Sequence, residues 1–119
     1  MHTVSKDFAF EASHHLDPAL LGPTHKCCRM HGHSYRVRVY CSAEKLDRRG
    51  FVIDYAEISA AVDPVIARLD HNFLNQLLPF HTTAENLAEW FFYTLKDALP
   101  SVSRVDVFET AKTCCTFVP

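Results

Sequence analysis

His31-Gly32-His33-Ser34-Tyr35-Arg36-Val37-Arg38-Val39-Tyr40-Cys41-Ser42-Ala43 alternates between apolar and polar character along most of its length. On a strand, residues two apart share a face. His31, His33, Tyr35, Val37, Val39 and Cys41 therefore line one side, with Arg36 and Arg38 on the other. That is the pattern of a half-buried strand whose buried face begins with two imidazoles. Phe8-Ala9-Phe10-Glu11-Ala12-Ser13-His14 repeats it, with Phe8, Phe10, Ala12 and His14 on one face. A histidine thus ends one strand, and two more begin the other.

Working outward, residues 15–30 carry Pro18, Gly22 and Pro23 and read as a loop, and Arg48-Arg49-Gly50 reads as a turn. Asp54-Tyr55-Ala56-Glu57 has the form of a capping box. Ile58, Val62, Val65, Ile66 and Leu69 follow at helical spacing, with Pro64 as a potential kink. Thr82-Thr83-Ala84-Glu85 is a second box, followed by the apolar face Leu87, Ala88, Phe91 and Leu95. Val105, Val107 and Glu109 alternate in a third strand, and Thr113 to Val118 form a short fourth. The order ββααββ predicts an α+β fold. A four-stranded antiparallel sheet would carry both helices on one face, as a single domain over residues 1–119. Four strands leave open edges, which predicts a homo-oligomer joined edge to edge.

Composition narrows the function. The formal charge is −2 with no basic stripe, which argues against a nucleic-acid partner. No apolar run approaches the roughly 18 residues of a membrane span. The first residues, Met1 to Asp7, lack an apolar secretory segment, so a cytoplasmic location is expected. Five cysteines, with Cys27-Cys28 and Cys114-Cys115 adjacent, make no spaced disulfide framework and read as reduced thiols. Of the eight histidines, His14, His15, His25, His31 and His33 crowd into one short stretch, which points to a site.

His31 and His33 can reach one metal from the same strand face, and Gly32 lets the backbone approach closely. His14 can supply a third ligand. Three neutral imidazoles suit Zn²⁺ and leave a fourth position open, as in catalytic zinc sites. Cys27 lies four residues before His31. It could close the coordination sphere, or serve as a thiolate base with its pKa lowered by the metal, Lys26 and Arg29. Cys28 competes for either role. Asp70-His71 is either a relay pair or a solvated dipeptide at a helix end. Glu109 is an inward carboxylate that needs a partner. Either an internal ion pair or the guanidine-like edge of a heterocycle would serve.

Together these pieces resemble the 6-pyruvoyl-tetrahydropterin synthase superfamily, and more closely its bacterial branch, which forms 6-carboxy-5,6,7,8-tetrahydropterin in queuosine biosynthesis. The resemblance runs in order through Phe10–His14, His25–His33, Gly50–Asp54, Leu69–Asn75, Thr83–Ala88 and Glu109-Thr110. It implies a T-fold, with subunits closing into an oligomeric barrel, typically a hexamer built as a dimer of trimers. It implies zinc on His14, His31 and His33, and Cys27 as the catalytic thiol, from its Cys-x-x-x-His-Gly-His spacing. Asp70 and His71 match the proton relay, Glu109 matches the carboxylate anchoring the pterin, and Thr83 lies where that ring is supported. The implied substrate is 7,8-dihydroneopterin triphosphate, with Lys26 and Arg29 as further candidates for its phosphates. Release of acetaldehyde and triphosphate would make the enzyme a lyase. Alternatives are the pyruvoyl-forming reaction, which only eliminates triphosphate, and a non-catalytic, zinc-stabilised assembly module. Cys28 departs from the bacterial pattern, which has a small residue there, and Cys114-Cys115 matches no assigned role.

Overall fold

The computed structural model describes residues 1–119. In chain order the elements are β1 (His2–His14), α1 (Pro18–Leu21), β2 (His31–Ala43), α2 (Tyr55–Leu69), β3 (Asn72–Phe73), α3 (Leu74–Leu77), α4 (Ala84–Leu95), β4 (Val102–Thr110) and β5 (Thr113–Phe117). A 3-10 turn at Lys26–Cys28 leads into β2. No helix is long and apolar enough to cross a membrane.

The sheet order is β3-β1-β2-β4-β5. Strands β1 and β2 pair antiparallel throughout, from His2 opposite Ala43 to His14 opposite His31. The α+β reading holds, but the sheet has five strands and is mixed rather than purely antiparallel. The extra strand, β3, runs parallel to β1 at Ala12–Ser13. Two residues are too few to show any periodicity, so this strand has no sequence signature. Residues 15–30, expected as loop, contain α1, started by Pro18 and capped by the Asp17 side chain, and the 3-10 turn.

Both long helices cover one face of the sheet. Phe8, Phe10, Tyr35, Val37, Val39 and Cys41 from the strands are buried against Ile58, Val62 and Leu69 of α2 and Leu87, Phe91 and Leu95 of α4. The opposite face is polar. There Asp7 accepts hydrogen bonds from Arg36 and Arg38, and Asp106 accepts from Arg104 and Tyr40. Asp54 caps α2 as expected, accepting from the Ala56 amide. Helix α2 continues through Pro64, which lies on its exposed side. The carbonyl of exposed Ala60, deprived of its partner by the proline, can turn to water there.

The cap of α4 differs from the expected box. Its N-cap is Thr83, whose hydroxyl accepts from Asn86, while Thr82 is fully buried. Phe91 is also fully buried, packed against Phe10 and Trp90. Phe91→Ala should therefore cost about 3–5 kcal/mol of stability. Urea unfolding of the purified chain checks this; a loss below about 1 kcal/mol would contradict the packing described.

Candidate metal centre

The β1–β2 register sets His14 directly opposite His31, and Ala12 opposite His33. All three histidines share the helix-facing side. Gly32 lies between the two histidines of β2, where a Cβ would come within 3.2 Å of the Ala12 carbonyl oxygen. The three imidazoles are gathered with ring centroids 4.6–5.1 Å apart. One nitrogen from each forms a set lying within 4.8 Å of one another.

Hydrogen bonds orient two of the rings. His14 Nδ1 lies 2.9 Å from the Thr82 carbonyl and 3.2 Å from its hydroxyl. A carbonyl only accepts, so Nδ1 carries the proton and Nε2 presents a lone pair. His31 Nδ1 makes the same bond to the Arg29 carbonyl at 2.7 Å. Such second bonds fix tautomer and ring angle in metal-binding histidines. The Nε2 atoms of His14 and His33 are buried without a hydrogen-bond partner.

Glu109 points at these orphaned atoms. Its Oε2 is 3.5 Å from His14 Nε2 and 3.3 Å from His33 Nε2. These contacts are not ion pairs. Burial pushes His14 down to about 4, with His31 and His33 adding repulsion and the Thr82 bond opposing. Burial and His31 likewise hold His33 below the ordinary imidazole range. Burial, with Glu85 nearby, raises the Glu109 carboxyl. A neutral His14 therefore sets a lone pair against a carboxylate oxygen, a repulsion that a cation held by the imidazoles would offset. Three imidazoles that leave a further position open are a donor set found in catalytic metal sites. His14, His31 and His33 fit a metal ion.

The remaining candidates sit around this centre in distinct places. Cys27 lies on the 3-10 turn, outside the trihistidine group. Its backbone carbonyl accepts from Leu16, which ties the turn to the end of β1. The Cys28 thiol turns away, toward the Gly22 carbonyl at 3.7 Å. Asp70 and His71 do form a pair, with Asp70 Oδ2 3.0 Å from His71 Nδ1. They do so because His71 takes a left-handed backbone, φ 58°, which turns its side chain back toward its neighbour. Two hydrogen bonds to Glu11 hold this turn: its carbonyl accepts from the His71 amide, and its amide donates to Asp70 Oδ1. The Glu11 amide, then His71, keep the Asp70 carboxyl below its usual range. The pair is exposed at the sheet edge, His71 to 77%. An open cavity of about 580 Å³ lies beside it, between Glu11, Ser34 and Phe73. Thr83 is partly buried and spends its acceptor on the α4 cap, which leaves its hydroxyl proton free to donate.

Thr82, which the sequence suggests only as a helix cap, is a further residue of this candidate centre. It holds His14 mainly through its backbone carbonyl, which any residue type possesses.

A stability prediction follows for the metal-free chain. The unfolded chain takes up a proton on His14 near the ordinary imidazole value, while the folded chain resists until about pH 4. Stability should therefore fall as pH drops through that window. His14→Gln, which cannot titrate, should flatten the slope between pH 7 and 4.5. Urea unfolding at the two pH values checks this, and equal slopes for both chains would contradict it.

Comparison with known proteins identifies the family. The family model described as 6-pyruvoyl tetrahydropterin synthase matches residues 3–119. The 6-carboxy-5,6,7,8-tetrahydropterin synthase of Synechocystis sp. is 36% identical, over 98% of this chain and 93% of that protein. Its counterpart from Haemophilus influenzae is 30% identical, over 98% and 99%. The structure of Caenorhabditis elegans 6-pyruvoyl tetrahydropterin synthase superposes with a TM-score of 0.88, at 26% identity, covering 99% of this chain and 95% of that one. With nearly its whole length matched and its histidines gathered as described, the chain belongs to the 6-pyruvoyl tetrahydropterin synthase family.

Proposed function

We propose that this chain is a zinc-dependent lyase acting on 7,8-dihydroneopterin triphosphate. Its products are 6-carboxy-5,6,7,8-tetrahydropterin, acetaldehyde and triphosphate, as a step in making queuosine. The observation that carries this reading is the orphaned Nε2 atoms of His14 and His33, facing a half-buried carboxylate. The Synechocystis and Haemophilus relatives support the carboxy-forming reaction. Similarity to the Caenorhabditis enzyme keeps the pyruvoyl-forming reaction as the second reading.

Zinc on His14, His31 and His33 would act as a Lewis acid that acidifies the substrate's side-chain hydroxyls. Glu109 accepts two N–H bonds from the pterin edge, the pairing that gives a planar, bidentate fit. Thr83 donates its free hydroxyl proton to the ring. Cys27 takes a proton from the substrate side chain as the thiolate, and Asp70 holds His71 to pass protons on the other face. Cys28 is a poorer candidate for the base, because its thiol is engaged with Gly22.

The exposure of Asp70-His71 suits a site completed between subunits. β3 covers only two residues of β1's outer edge, so that edge is available for pairing. A homo-oligomer, a hexamer built from two trimers, would bring the relay of one chain to the zinc of another, in the cytoplasm.

Incubation with dihydroneopterin triphosphate should yield acetaldehyde and the 6-carboxy product in equal amounts. Triphosphate release without acetaldehyde would favour the pyruvoyl reaction, and no turnover with zinc bound would favour the assembly module. Cys27→Ala, with Cys28 intact, should keep zinc and lose at least about 100-fold in turnover. A fully active variant would overturn Cys27 as the base.

A further inference from the structure

Three buried side-chain atoms have no hydrogen-bond partner: His14 Nε2, His33 Nε2 and the Tyr35 hydroxyl. A metal explains the first two and leaves Tyr35. Its side chain is 1% exposed, with the ring stacked flat on Phe10 at 4.8 Å and edge-on to His33 at 5.3 Å and His14 at 6.0 Å. Phenylalanine would make the same packing without burying an orphan O–H, which costs free energy wherever it stays unpaired.

The sheet register supplies the partner. Arg36 pairs with Phe108, and Val37 with Val107. One step further in the same register sets Tyr35 across from Glu109. Both are on the inward face, where cross-strand Cβ atoms lie roughly 4.5–5.5 Å apart. Glu109 carries two acceptor oxygens and faces His14 and His33, of which His14 offers it only a lone pair.

We propose that Tyr35 is a positioning residue, whose hydroxyl donates to the Glu109 carboxylate and orients it for the pterin edge. A rotation of the Glu109 side chain brings one of its oxygens to this buried donor. One oxygen is then steadied by Tyr35, and the in-plane lone pairs stay directed at the ligand. The inference rests on the proposed role of Glu109 as the pterin anchor.

The test uses the zinc-loaded protein and neopterin, a pterin without the triphosphate, with affinity read by fluorescence titration. Tyr35→Phe should keep its zinc content and melt no lower than the parent. Its neopterin affinity should nevertheless fall about tenfold, the scale of a hydrogen bond to a charged group. Glu109→Gln should bind more weakly still, and adding Tyr35→Phe to it should cost nothing further. Unchanged affinity in Tyr35→Phe, or losses that simply add in the double variant, would overturn the role of Tyr35 while leaving the pterin site standing. A parent protein that binds zinc but no neopterin would overturn both.

Discussion

The antiparallel ladder between β1 and β2 is the constraint on which the site depends. Thirteen residues of each strand pair in unbroken register. A slip of one residue would turn Phe8, Phe10 and Ala12 out of the core, and His14 out of the site with them. Core packing and ligand placement are therefore specified by the same alternation. Hydrophobic burial of Phe10 and Tyr35 fixes the register, and the register carries His14, His31 and His33 to one point. This is why a site of three ligands from two strands needs no dedicated loop.

A second layer of order comes from where the backbone carbonyls fall. The Thr82 carbonyl takes the proton side of His14, and the Arg29 carbonyl that of His31. Burial keeps His14 and His33 neutral. Each effect alone would be unremarkable, but together they aim lone pairs, rather than protons, at a common point. The Thr82 contact also explains the α4 cap. Once Thr82 is drawn into the core by His14, its hydroxyl cannot serve the helix, and Thr83 takes over.

Much of this was legible in the sequence because it rests on periodicity. The alternation of Phe8 to His14 and of His31 to Cys41, and the helical spacing of Ile58 to Leu69, each record a buried face. The trihistidine group follows from the first two. What escaped notice rests on features without a side-chain signature: a two-residue parallel strand at Asn72–Phe73, and a backbone carbonyl at Thr82. The Thr82–Glu85 box was misplaced by one residue because two threonines adjoin, and only tertiary contact decides which is the cap. Asp70-His71 was ambiguous for a related reason. Adjacent side chains usually diverge, and only the left-handed backbone at His71 brings them together.

The arrangement separates holding from proton movement. The groups that could hold a metal are inward, on paired strands, and backbone carbonyls fix the tautomers of His14 and His31. The groups proposed to move protons lie elsewhere, Cys27 on a 3-10 turn and His71 on an exposed edge. Had Cys27 joined the imidazoles, four protein ligands would close the sphere, and the centre would be structural in character. Because the thiol lies off the trihistidine group, the three imidazoles leave a further position open at the centre, as the proposed chemistry requires. The strain at His71 fits the same division, since backbone held in a sparsely populated region costs about 1–3 kcal/mol and persists only where surrounding bonds enforce it. Here Glu11 enforces it from β1, the strand that also delivers His14. One strand therefore holds both His14 and the Asp70-His71 turn within each chain, so both take their places from the β1 backbone.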